Sequence, residues 1–164
     1  MVADNAINFW GMYSGFNKLD AGQTDFLLSY EHWGFLIFGL IFLPILIKFL
    51  KTKFSSELLF YFLFLSSITY FFIFTRMHER YLFFGVVFAQ ILMMTNKKYW
   101  YNLFFFSVLY FLNLYRGLYQ PGLPYLPDLL KNITFLNIFV ICYLLLILYN
   151  LYYFMFKLKG NEKN

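Results

Sequence analysis

The stretch ITFLNIFVICYLLLILYNLYYFMF, Ile133 to Phe156, decides the fold: it holds no Asp, Glu, Lys, Arg or His. A helix over it would be about 36 Å long, more than the ~30 Å hydrocarbon core of a bilayer. Four further apolar runs precede it, His32–Leu50 with Pro44 inside, Ser56–Thr75, Met77–Thr95 and Tyr99–Tyr115. The reading is an all-α, polytopic transmembrane helix bundle of about five spans (32–50, 56–75, 77–95, 99–115, 133–156). A segment over 1–31, a loop over 117–132 and a tail over 157–164 lie outside the bilayer. No repeat and no heptad pattern is visible.

Composition points the same way. Hydrophobic residues make up 62% of the 164, charged residues 13% and aromatics 26%, with 25 Phe and 15 Tyr. Soluble domains run at roughly 45–50% apolar and about 25% charged. The net charge of +5 does not signal nucleic acid, because the cations sit in short tracts beside apolar runs rather than on a solvated basic face. One cysteine, Cys142, lies within a span and has no internal disulfide partner. No cluster of metal ligands is present, and neither a metal nor a soluble cofactor is expected.

The cations also orient the chain. Lys48, Lys51, Lys53, Lys97, Lys98, Lys157, Lys159 and Lys163 fall on one side of the membrane. Lys18, Arg76, Arg80, Arg116 and Lys131 fall on the other. The richer side is expected to be cytoplasmic, so the C-terminus faces in and the N-terminal segment faces out. That segment lacks the basic start and apolar core of a signal peptide. It reads as an external piece with a short interfacial helix around Phe9, Trp10 and Tyr13. Carrying it across is easiest after an upstream span, so the chain reads as the C-terminal portion, or a subunit, of a larger membrane protein.

Thr75-Arg76-Met77-His78-Glu79-Arg80-Tyr81-Leu82 is the candidate chemical site. From Tyr81 to Thr95 the apolar run would make only about 22 Å of helix. The third span must therefore begin inside the motif, which puts its charges at the membrane edge, where they are costly and usually face a polar interior. Arg76 and Arg80, four apart, would share a helix face. A helix start there also offers free N–H groups and a positive dipole end. The combination suits an anionic head group, phosphate above all. A polar turn closed by a Glu79–Arg salt bridge is the alternative.

Met77-His78-Glu79-Arg80-Tyr81-Leu82 resembles the His-Glu-(Lys/Arg) motif of GT-C fold membrane glycosyltransferases that use polyprenyl-phosphate sugars. Asn5-Ala6-Ile7-Asn8-Phe9-Trp10 resembles the Ala-Asn-Phe-Trp segment that precedes the last spans in the same families. The two motifs stand in the family's order, about 70 residues apart. The resemblance covers most of the chain but only the C-terminal part of the family's architecture. It implies a sugar transfer in which a carboxylate deprotonates the acceptor and cations steady the leaving lipid phosphate.

On that basis His78 and Arg80 lie by the phosphate, Arg76 is a second cation, and Glu79 orients His78 or pairs an arginine. Asn5, Asn8 and Trp10, with Arg116, Tyr119 and Gln120 at the start of the proline-rich outer loop, are candidates for the donor or acceptor side. The family's catalytic carboxylate, in its first external loop, has no match here. The expected partners are a polyprenyl-phosphate-linked sugar lipid, membrane lipid, and a separate N-terminal half or partner subunit. The expected location is a bacterial plasma membrane. A non-catalytic subunit that binds a polyprenyl lipid, or a structural membrane fragment, stays open beside the enzyme.

Overall fold

Capping side chains mark where four of the helices begin. The computed structural model describes residues 6–16, 20–25, 27–117, 130 and 132–158. Six α-helices lie among them. A short α1, Phe9–Tyr13, is followed by an antiparallel pair of two-residue strands, β1 Thr24–Asp25 and β2 Leu28–Ser29, with Thr24 opposite Ser29. Then come α2, Tyr30–Lys51, and α3, Ser56–Ile73. A 3-10 turn, Glu79–Leu82, runs into α4, Phe83–Thr95. A second, Lys97–Tyr99, runs into α5, Trp100–Gly117. Last is α6, Ile133–Tyr152, which continues as a wider π-turn through Lys157.

The Ser55 hydroxyl accepts from Leu58 N at 3.1 Å, and Asn132 Oδ1 accepts from Thr134 N at 2.9 Å. Each satisfies a first-turn amide that has no partner within its helix. Glu31 sits in the first turn of α2 and Lys48 and Lys51 in its last, which complements the helix dipole. Pro44 stands inside α2 without ending it.

Three helices, Tyr30–Lys51, Ser56–Ile73 and Ile133–Lys157, are long and apolar enough to cross a membrane, and Arg80–Thr95 is a shorter apolar helix. α3 is the central element: 50% of its apolar window is buried, against 11% for α2. Tyr61, Phe64, Leu65, Ile68, Phe71 and Phe72 of α3 are fully enclosed. Phe64 meets Phe106 of α5 edge-on at 5.3 Å, and Phe72 stacks with Tyr143 of α6 at 6.4 Å. Around this core, Leu40, Leu43, Phe111, Ile138, Leu145 and Leu148 are exposed. Bare apolar side chains on several helices are disfavoured in water but matched by lipid.

The helices run alternately up and down, so the loops gather at two ends. One end holds the start of α2, the end of α3, the Glu79–Leu82 turn and the end of α5. The other holds the lysines. There Lys48 Nζ donates to Met155 O at 2.6 Å, and Lys98 lies 3.0 Å from Glu57. Burial opposes the Lys98 charge, but its bonds to Glu57 and Tyr153 outweigh that and raise its pKa above the usual lysine value.

Candidate functional site

The end of α3 is where the two sequence motifs meet. An α-helix leaves its last carbonyls without intrahelical donors. Here α1 supplies them. Asn8 Nδ2 donates to Phe71 O at 3.1 Å, and Trp10 Nε1 donates to Ile73 O at 2.5 Å. Asn8 also caps its own helix, its Oδ1 accepting from Gly11 N at 2.9 Å. Asn113 Oδ1 of α5 accepts from Ile7 N at 2.7 Å. One short segment thus ties α3 to α5.

Two glycines make the approach possible. A Cβ on Gly34 of α2 would stand 3.3 Å from Ile73 O, and one on Gly11 only 2.6 Å from Ala6 O. The sequence motif around Asn8 and Trp10 therefore acts as a clamp. Both side chains are buried and bonded to backbone, so they position the neighbouring chain rather than line an open cavity. The helix around Trp10 accordingly docks on protein.

The clamp holds the chain at the point where the charged motif begins. Past Ile73, Phe74 turns extended. Thr75 and Met77 are then buried while Arg76, at a bend in the chain, points out. Arg76 has φ 56°, a left-handed conformation that costs a non-glycine residue about 1–2 kcal/mol. Arg76 and Arg80 therefore do not share a helix face: Arg76 lies before the helix, and the turn starts at Glu79. Arg76 Nη2 pairs with Glu31 Oε2 of α2 at 3.1 Å.

His78, partly buried, precedes the turn in extended conformation, and no side chain caps it. The His78 ring meets Tyr81 edge-on at 5.6 Å, and Arg80, exposed, has its Cζ 5.8 Å from the same ring. The Arg116 guanidinium lies 4.4 Å over the Phe16 ring. Its Nη1 is buried and has no hydrogen-bond partner among the described residues.

Arg76, His78, Arg80 and Arg116 thus stand at one end of the bundle, with Asn8 and Trp10 beneath them. Asn5, Tyr119 and Gln120 lie outside the described residues, as does the side chain of Glu79. Glu31 is the residue that sequence reasoning missed as a partner of Arg76. Nothing local signals a contact between positions so far apart in the chain. Among the described residues no group of His, Cys, Asp and Glu could hold a metal ion.

This end is rich in cationic donors. Three guanidinium groups and an imidazole supply donors, and its one described carboxylate contact is Glu31 on Arg76. Comparison with family models, with curated proteins and with solved structures finds no match to this chain.

Proposed function

We propose that this chain is the lipid-carrier-binding, C-terminal portion of a GT-C-like integral membrane glycosyltransferase. It transfers a sugar from a polyprenyl-phosphate donor on the outer face of a bacterial plasma membrane. In this reading α2 to α6 are five spans, the clamp and the Arg76–Leu82 segment face outward, and the lysine-rich end faces the cytoplasm. The Arg80–Thr95 helix is short for a ~30 Å core, which seats its charged start at the membrane edge.

The observation that carries the reading is the junction of the two motifs. Asn8 and Trp10 bond the last carbonyls of α3, immediately before the segment that bears Arg76, His78 and Arg80. Two stretches that resemble the same family for separate reasons are, in space, one unit. Arg80 and His78 hold the lipid phosphate and offset the charge it gains as it leaves the anomeric carbon. Arg76 assists once its pairing with Glu31 loosens. The carboxylate that deprotonates the acceptor comes from another segment or subunit.

Arg80→Ala and His78→Ala are each expected to weaken polyprenyl-phosphate binding on the order of tenfold, the weight of one charged hydrogen bond. Lys97→Ala, at the other end, should leave it within about twofold. Titration of the purified chain with the lipid, read by native mass spectrometry, measures all three. Equal effects from the three variants would mean diffuse attraction and would overturn the assignment.

Glu31→Gln is a second test. The Glu31–Arg76 pair is exposed, with side chains 37% and 60% accessible, so losing it should change stability by less than about 1 kcal/mol. Freed Arg76 should bind the phosphate severalfold more tightly. Weaker binding in Glu31→Gln would remove Arg76 from the site.

A further inference from the structure

The seam between α2 and α6 closes at the lysine-rich end of the bundle. The last carbonyls of a helix lack intrahelical donors, and here the neighbouring helix supplies one: Lys48 Nζ of α2 donates to Met155 O of the π-turn at 2.6 Å. An ammonium group has three donors, so Lys48 keeps two more. The contact fixes how the two helices meet. Lys51 follows Lys48 by three residues in the last turn of α2 and shares its face. Lys157 follows Met155 by two residues and ends the π-turn. Three cations thus gather at one seam.

Little at this end answers their charge. Glu57 is the described carboxylate there. It is already taken by Lys98 at 3.0 Å and by the Tyr99 hydroxyl, which donates to it at 2.5 Å. Lys51 and Lys157 are exposed and have no ion-pair partner among the described residues. Beside them the surface is apolar: Leu50 is 71% exposed and Phe156 70%. Both helices are long and apolar enough to cross a membrane, so their lysine-bearing ends reach the level where hydrocarbon gives way to head groups. Bare apolar side chains next to unmatched cations fit an anionic phospholipid, whose chains cover Leu50 and Phe156 while its head group meets the lysines. Two unmatched charges, on Lys51 and Lys157, call for two negative ones.

We propose that the α2–α6 seam at Lys48, Lys51 and Lys157 binds a phospholipid whose head group carries two phosphates. Lys51 and Lys157 each meet one phosphate, and Lys48, held in place by Met155 O, supplies donors between them. The site does not depend on the cations at the opposite end or on the proposed sugar transfer.

The test titrates the whole chain, in detergent, with four probes and counts bound ligand by native mass spectrometry. The probes are inorganic phosphate, phosphatidylcholine, phosphatidylglycerol and cardiolipin, of which only cardiolipin is a phospholipid with two phosphates. Cardiolipin should bind on the order of tenfold more tightly than phosphatidylglycerol, and the other two more weakly still. Lys51→Ala and Lys157→Ala should each weaken cardiolipin about fivefold, the weight of one lysine near an anionic surface. Both side chains are exposed, so these variants keep the fold. Lys97→Ala, in the α4–α5 turn of the same end, and Arg80→Ala, at the other end, should leave cardiolipin within about twofold, since exposed charges that do not touch the ligand contribute little.

A loss in Lys97→Ala as large as in Lys51→Ala would mean a diffuse basic face and would overturn the seam as the site. Phosphatidylglycerol as tight as cardiolipin would overturn the two-phosphate head group. Inorganic phosphate as tight as cardiolipin would make this a site for free anions and overturn the lipid. A wild-type chain that retained no cardiolipin would remove the site altogether, and it would leave the reading of His78 and Arg80 standing.

Discussion

Trp10→Ala is expected to be the most damaging single substitution in the chain, costing about 3–5 kcal/mol of stability, the usual range for deleting a buried tryptophan. Trp10 is 3% exposed and packs edge-on against Phe9, Tyr13 and Tyr30, with centroids 5.2, 6.0 and 5.7 Å away. Its indole N–H is also the donor to Ile73 O. Trp10→Phe separates the two roles. It keeps most of the ring packing and leaves the carbonyl without its donor, which should cost about 1–3 kcal/mol.

The functional effect of Trp10→Phe should exceed what stability alone explains. Ile73 is the last α-helical residue before the bend that carries Arg76. Loosening it blurs the position of the cations, so phosphate-lipid affinity should fall severalfold at temperatures where the variant is still folded. Thermal denaturation in detergent and the lipid titration give the two readouts. A Trp10→Phe variant that lost neither stability nor affinity would show that the clamp does not set the motif.

The helices were legible in the sequence, because an apolar run bounded by lysines, by Ser55 or by Asn132 leaves little choice of limits. The third run differs from its expected Met77 start: its α-helix begins at Phe83 after the 3-10 turn Glu79–Leu82, and the apolar helix Arg80–Thr95 stays shorter than the three that are long enough to cross a membrane. The boundaries shifted by small amounts, α3 ending at Ile73 rather than Thr75 and α6 changing to a π-turn after Tyr152. Those shifts depend on carbonyl partners that come from elsewhere in the chain. The site itself was half legible. Residue types named the cations, but spacing put Arg76 and Arg80 on one helix face. The left-handed φ at Arg76 breaks that pattern, and no local rule assigns such a conformation to an arginine. Asn8 and Trp10 were visible as a motif, yet their role depends on contacts across 63 positions, which periodicity does not encode.

Asn150→Leu should also destabilise the bundle strongly, by about 3 kcal/mol, although leucine suits a lipid-embedded core better than asparagine does. The reason is what the substitution leaves behind. Asn150 is fully buried. Its Nδ2 donates to Asn102 Oδ1 and to Leu146 O, each at 2.9 Å. Its Oδ1 accepts from Asn102 Nδ2 at 2.9 Å and from Tyr61 Oη at 2.5 Å. A single leucine removes the Asn150 bonds of the Asn102 amide and the Tyr61 hydroxyl and leaves each only its contact with Tyr101 in an apolar interior, where lost partners are costly. Interhelical hydrogen bonds in membranes average only about 0.6 kcal/mol, because the separated helices find other partners. Here three helices converge on one residue, so several groups lose a partner at once. Adding Asn102→Leu removes that amide, and the double variant should recover at least about 1 kcal/mol relative to the sum of the two single changes. Strict additivity in that cycle, measured by denaturant titration in detergent, would mean that the reciprocal amide pair carries no coupling. The double variant should bind the phosphate lipid as wild type does, because these residues join α3, α5 and α6 in the half of the bundle away from Arg76, His78 and Arg80.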